Sequence, residues 1–144
     1  MLTYEADVLI PAALENAVTV DNARQIRAEV VVEAANGPTT PDAHDLLVNR
    51  GITVIPDILA NAGGVTVSYF EWSQNIQQFR WELERVNREL ERVMRRAYGD
   101  VTRLASESAL DLRTAAFVLA IKRVARAIAV RKSVAHHLPP SLRS

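Results

Sequence analysis

Short runs of β-branched apolar residues mark the first half of the chain, and long helical patterns fill the second. Val8-Leu9-Ile10, Val30-Val31-Val32 and Ile52-Thr53-Val54-Ile55 are continuous rather than alternating, the habit of strands covered on both faces in a parallel sheet. Proline closes the first and third runs, at Pro11 and Pro56, where the lost N–H ends a ladder. Thr40-Pro41 predicts a helix start, with the threonine hydroxyl as cap and proline at the first helical position. Ala43, Leu46, Leu47 and Arg50 follow at helical spacing, and Gly51 is placed to end that helix. A short helix is expected around Asp21 to Ala28. The order reads as β-α-β-α-β with right-handed crossovers.

The second half is helical. A helix is expected from about Val65 to Asn75, starting at a Gly63-Gly64 turn. Leu83, Val86, Leu90, Val93, Ala97, Val101 and Leu104 then fall at alternating three- and four-residue steps, one face of a long helix. Arg80/Glu84, Glu84/Arg88, Arg85/Glu89 and Glu91/Arg95 are opposite-charge i,i+4 pairs on its other face. A second long helix is predicted from about Leu110 to Val130, with Ser108 as its cap. It is apolar nearly all round (Ala115, Ala116, Val118, Leu119, Ile121, Val124, Ala125, Ile128), which predicts deep packing. The fold class that follows is α/β, a parallel sheet of about three strands with helices, followed by two long C-terminal helices. Three regions are expected: an α/β part over 1–75, a long-helix segment packed on it over 76–132, and a flexible tail over 133–144.

Composition removes several classes of function. The chain has 144 residues, 49% apolar and 24% charged, with zero formal net charge. That balance gives no general attraction to nucleic acid or to an anionic membrane. Without cysteine there is no disulfide and no thiolate zinc site. No apolar run reaches the ~20 residues that span a bilayer. Glu5 and Asp7 break any signal-peptide pattern, so a cytoplasmic location is expected. His44 is expected on a helix surface without a partner, and Trp72 and Trp81 as packing residues. His136-His137 has no second cluster of ligands, so no metal site is expected.

The residues suited to ligand chemistry sit beyond the strand ends. Asn36-Gly37-Pro38 and Asn61 follow the second and third runs, where open α/β sheets bind ligands. An asparagine amide donates and accepts together, which suits a ribose hydroxyl or a carboxamide. Gly63-Gly64 lets backbone approach a ligand closely. By residue type alone, both asparagines read first as ordinary turn residues, and Ser68 as a helical hydroxyl satisfied by its own backbone.

Four segments in order carry a family resemblance: Asp7-Val8-Leu9-Ile10-Pro11-Ala12-Ala13-Leu14-Glu15, Glu33-Ala34-Ala35-Asn36-Gly37-Pro38-Thr39-Thr40, Leu59-Ala60-Asn61-Ala62-Gly63-Gly64-Val65 and Val67-Ser68-Tyr69-Phe70-Glu71-Trp72. Together they resemble the glutamate dehydrogenases and their leucine, valine and phenylalanine dehydrogenase relatives, over Asp7 to about Arg131. The resemblance implies the C-terminal part of a Rossmann-like NAD(P)-binding domain, with the sheet truncated. It implies cofactor contacts at Ala12, Ala13, Asn36, Asn61 and Gly63, and a substrate contact at Ser68. It implies NAD or NADP as cofactor and oxidative deamination of L-glutamate to 2-oxoglutarate as chemistry.

Two family features have no counterpart in these residues. The glycines, Gly37, Gly51, Gly63, Gly64 and Gly99, form no G-x-G-x-x-G turn for the pyrophosphate. Lys122 and Lys132 do not match the family's catalytic lysines, so no catalytic residue is assigned. Positioning contributes ~7–11 kcal/mol to such reactions, and a site without both anchors lacks it. The expectation is therefore an oligomeric or regulatory interaction module, not catalytic alone, with cofactor binding weak or lost. The alternative is part of an NAD(P)-dependent glutamate dehydrogenase, active only when complemented by the missing N-terminal part. The open edge at Val8-Leu9-Ile10 predicts a homo-oligomer, dimer or higher, and a full-length glutamate dehydrogenase is a second expected partner.

Overall fold

A computed structural model describes residues 2–137. Three short strands, β1 (Val8–Leu9), β2 (Val30–Val32) and β3 (Thr53–Ile55), form a parallel sheet in that order. Val30 pairs with Val8 on one side and Thr53 on the other, so β2 is central and β1 is an edge. The expected class, a three-stranded parallel α/β unit followed by two long helices, is the class observed. Helices α1 (Val20–Ala23) and α2 (Pro41–Asn49) connect the strands. They cover Val31 and Val54 in a core with Val18, Ile26 and Leu47.

Pro41 sits at the start of α2 as expected, but Thr40 makes no side-chain capping bond. Gly51 follows that helix at φ +78°, a left-handed conformation that glycine adopts without steric cost. The α1 end is held from elsewhere in the chain: Arg50 donates to the carbonyls of Ala23 (2.5 Å) and Ile26 (2.7 Å). One short helix, α3 (Asp57–Ala60), leads into α4 (Ala62–Gln77). Gly63 and Gly64 are therefore the first turn of α4 and not a separate turn before it, because neither glycine adopts positive φ.

Helices α5 (Leu83–Ser108) and α6 (Leu112–His137) form an antiparallel pair. A second core lies where their adjoining ends meet α3, built from Leu59, Val101, Ala105, Ala115 and Ala116. Ser108 closes α5 and caps nothing. The cap of α6 is Asp111, whose Oδ1 accepts from the N–H groups of Arg113 (2.9 Å) and Thr114 (3.1 Å). Glu91 and Arg95 pair at 2.7 Å, whereas Glu89 pairs with Arg92 one turn on.

The deep packing expected of the last helix is corrected. Ala115 and Ala116 are buried, but Ile121, Val124, Ile128 and Val130 are each at least half exposed. Apolar composition all round signals burial only where other elements surround the helix, and among the described residues they surround its first turns alone. Trp72 is also exposed and leans on Tyr69 at 5.6 Å, while Trp81 packs on Phe70 at 5.4 Å under the Arg85 guanidinium. The α6 helix runs to His137, into the stretch expected as a tail, and residues 138–144 of that stretch lie outside the described residues. Among the described residues, no helix is long and apolar enough to cross a membrane.

Candidate functional site

The carboxyl ends of the three strands deliver three loops to one edge of the sheet. After β1 the Pro11 carbonyl accepts from the N–H groups of both Ala34 and Ala35, each at 3.0 Å. This ties the exposed Ala12-Ala13 loop to the loop that follows β2. Further on, the Asn16 N–H donates to the Gly37 carbonyl at 2.9 Å, and Gly37 turns at φ +54°.

Asn61 sits at the junction of α3 and α4, and its amide does not cap the helix it precedes. Instead its Nδ2 crosses to the β2 loop and donates to the Ala35 carbonyl (3.2 Å) and to Asn36 Oδ1 (3.1 Å). This leaves an acceptor on Asn61 and a donor on Asn36 for a ligand. A cleft of about 390 Å³ opens beside them, with Asn36, Asp57 and Asn61 as polar lining and Ile58, Val65 and Phe117 as apolar lining. A planar ring with an amide edge suits such a mixture.

Beneath the cleft lies a charged network that sequence reasoning missed. Glu33, the residue after β2, is fully buried. Its Oε2 accepts the Asp57 N–H at 3.0 Å, and its Oε1 accepts from Arg113 of α6 at 2.5 Å. Arg113 also lies 3.7 Å from Asp57 Oδ1, and Asp57 Oδ2 accepts the Gly37 N–H at 2.8 Å. A buried carboxylate without such partners would be strongly unfavourable. The signal for it was a glutamate directly after three valines, at the end of a central strand.

His44 joins this network, which corrects its expected place on an open helix surface. The ring is buried, with Nε2 donating to Asp111 Oδ1 at 3.1 Å and Nδ1 accepting from Arg113 Nε at 3.4 Å. The side of α2 it occupies faces the start of α6, a packing that helical periodicity alone does not specify. Burial would raise the Asp111 carboxyl. Hydrogen bonds from the Thr114 hydroxyl and N–H and from His44 outweigh that and hold it below its ordinary 3.8.

The structure thus brings Asn36 and Asn61 together, with Ala12 and Ala13 in the adjoining loop. Gly63 lies in the first turn of α4, where a Cβ would face Leu90 and Met94 of α5 at 3.9 Å rather than the cleft lining. Ser68 is exposed farther along α4, outside that lining, and its hydroxyl donates to the Gly64 carbonyl at 3.2 Å.

The chain is an open parallel α/β unit with a cleft at its strand ends. Residues 1–132 match the family model described as Glutamate/Leucine/Phenylalanine/Valine dehydrogenase, and the chain belongs to that family. It is 58% identical over 125 residues to the NADP-specific glutamate dehydrogenase A1 of Halobacterium salinarum, covering 86% of this chain and 30% of that protein. Identity to the NAD-specific glutamate dehydrogenase of Staphylococcus aureus is 50% over 131 residues, covering 91% and 32%. Its structure is similar to the hetero-hexameric glutamate dehydrogenase of Thermus thermophilus in a leucine-bound form, with TM-score 0.87 and 40% identity over 90% of this chain and 31% of that one. The chain spans about a third of the length of these relatives.

Proposed function

We propose that this chain supplies the nicotinamide-side half of an NAD(P)-dependent glutamate dehydrogenase site, competent when the phosphate-binding and catalytic parts of such an enzyme are brought to it. The observation that carries this reading is the Asn36–Asn61 contact at the mouth of the 390 Å³ cleft, within a family match over residues 1–132. In this reading Asn36, Asn61 and the backbone of Ala12, Ala13 and Gly63 hold the cofactor. Ser68 contacts the substrate side chain, a role that needs its hydroxyl to leave the Gly64 carbonyl. Residues 1–75 form the cofactor lobe and 76–132 the helical segment that braces it. NAD when bound would accept the hydride from the glutamate α-carbon. This chain's own residues bind and orient, and none of them is assigned to move a proton. Glutamate as substrate, and a nicotinamide cofactor of either type, follow from relatives named as NAD- and NADP-specific glutamate dehydrogenases. A cytoplasmic setting fits the absence of cysteine.

The test is calorimetric titration of NADH and NADPH into the purified chain, with and without 2-oxoglutarate. Saturable binding is expected, weakened about three- to tenfold by Asn36→Ala or Asn61→Ala, the equivalent of one hydrogen bond each. No heat at millimolar ligand would remove the half-site reading. A second reading would then stand, a non-catalytic oligomeric or regulatory module that pairs with itself or with a full-length glutamate dehydrogenase. It is favoured by the exposed apolar residues of α4 and α6, Val65, Tyr69, Trp72, Ile121, Val124 and Ile128 among them.

A further inference from the structure

Arg113 is separated by at least 52 residues from either asparagine of the cleft, yet one chain of contacts joins them. Its guanidinium reaches Glu33 Oε1 at 2.5 Å and stands 3.7 Å from Asp57 Oδ1. Glu33 holds the N–H of Asp57 at 3.0 Å, and Asp57 holds the N–H of Gly37 at 2.8 Å. The Asp57 N–H belongs to α3, whose C-cap is Asn61, and the Gly37 N–H to the loop that carries Asn36. Arg113 itself is aimed by its neighbours: its N–H is fixed by Asp111, and its Nε points to His44 Nδ1 at 3.4 Å. None of Arg113, Glu33, His44 and Asp111 lines the cleft.

We propose that Arg113 is a positioning residue through which the seating of α6 sets the geometry of the Asn36 and Asn61 loops. Three of its contacts converge from three elements: the end of β2, the start of α3 and the face of α2. The guanidinium is a rigid planar fork that can satisfy carboxylates in two directions at once, which a lysine ammonium cannot reproduce. When α6 is docked, the single Arg113 charge lies between Glu33 and Asp57, and their acceptor oxygens are fixed on the Asp57 and Gly37 N–H groups. When Arg113 withdraws, Glu33 and Asp57 are left as two like charges beside each other, and the loop N–H groups lose their fixed acceptors. Whatever covers or displaces α6, where Ile121, Val124 and Ile128 are exposed, is thereby felt at the cleft. The inference rests on the half-site reading only for its cofactor arm.

The experiment measures amide hydrogen exchange residue by residue in the chain and in Arg113→Lys, with an NADH titration of both. Exchange at the Gly37 and Asp57 N–H groups is expected to quicken about tenfold, while Val31 and Val54 in the sheet stay as they were. NADH affinity, where the parent chain binds, is expected to fall about tenfold, the scale of couplings carried through intermediates. Glu33→Gln/Arg113→Gln, which removes both charges together, keeps the comparison if the single variant is too unstable. Loop exchange that is unchanged, or that quickens only in step with Val31 and Val54, would overturn the proposal, since Arg113 would then be a stability residue alone. Should the parent chain bind no NADH, the half-site reading fails, and the exchange comparison still decides the role of Arg113.

Discussion

Asn61 illustrates how a single side chain divides its duties. It occupies a helix-capping position but spends its amide donors on the neighbouring loop, so the two asparagines act as one unit. Gly63 has a different logic. Its missing Cβ would stand 3.9 Å from Leu90 and Met94, an ordinary contact, and its φ is not positive. Gly63→Ala is therefore expected to raise stability by about 0.5–1 kcal/mol in urea melts, the usual gain in a helix. If its backbone also meets the cofactor, NADH affinity falls in the same variant, and unchanged affinity would remove Gly63 from the site. Asp111 carries a pH signature. Its lowered carboxyl adds stability above its unfolded value near 3.8, and that contribution is lost as pH falls through the lower folded value. Asp111→Ala is expected to lose about 1 kcal/mol at pH 7, typical of a helix cap, with the gap to the parent closing in acid. A gap that persists at pH 2 would show that packing, not the ionised cap, is what Asp111 provides.

At the scale of elements, the short α1 depends on a residue beyond its own sequence. Arg50, just past α2, closes the carbonyls of Ala23 and Ile26, so the two connecting helices stabilise each other. Arg50→Ala is expected to cost about 1.5–3 kcal/mol, the range for hydrogen bonds to a charged group. Thermal or urea unfolding of the variant checks it, and a loss under about 0.5 kcal/mol would mean that water replaces the guanidinium. The strands were legible because short continuous runs rich in β-branched apolar residues, two of them closed by proline, have few uses outside a buried sheet. Their connections were legible because proline and glycine sit at positions with a single steric solution, as Pro41 and Gly51 do. The charged network was not legible: Glu33, Asp57 and Arg113 are up to 80 residues apart, and no local pattern pairs them. His44 was misread for the same reason, since its partners Asp111 and Arg113 come from the far end of the chain.

For the molecule as a whole, the two cores differ in kind. The sheet core encloses Val18, Ile26, Val31 and Leu47 completely, whereas the helical core reaches only the adjoining ends of α5 and α6. Beyond it, α6 shows Ile121, Val124 and Ile128 to solvent, and β1 leaves Val8 and Ile10 half exposed at the sheet edge. Surfaces of this kind are normally covered by association. Light scattering at micromolar concentration is expected to find a dimer or larger assembly. Ile121→Glu/Ile128→Glu is expected to shift it toward monomer with little change in melting temperature, because both positions are exposed. A monomeric parent chain would end the expectation of self-association.

By itself, the sequence determined the three short apolar strands of a parallel sheet, the two long helices, the family and the two asparagines at the strand ends. These are local or motif-level properties, set by hydrophobic period, by steric limits of proline and glycine, and by contiguous residues. Only the tertiary structure decided that Glu33, His44, Asp57, Asp111 and Arg113 form one network under the cleft, and that much of α6 stays uncovered. Which charges meet, and which apolar faces find a neighbour, depends on how distant elements are oriented in space. Periodicity says that a helix has an apolar face, but not what lies across from it.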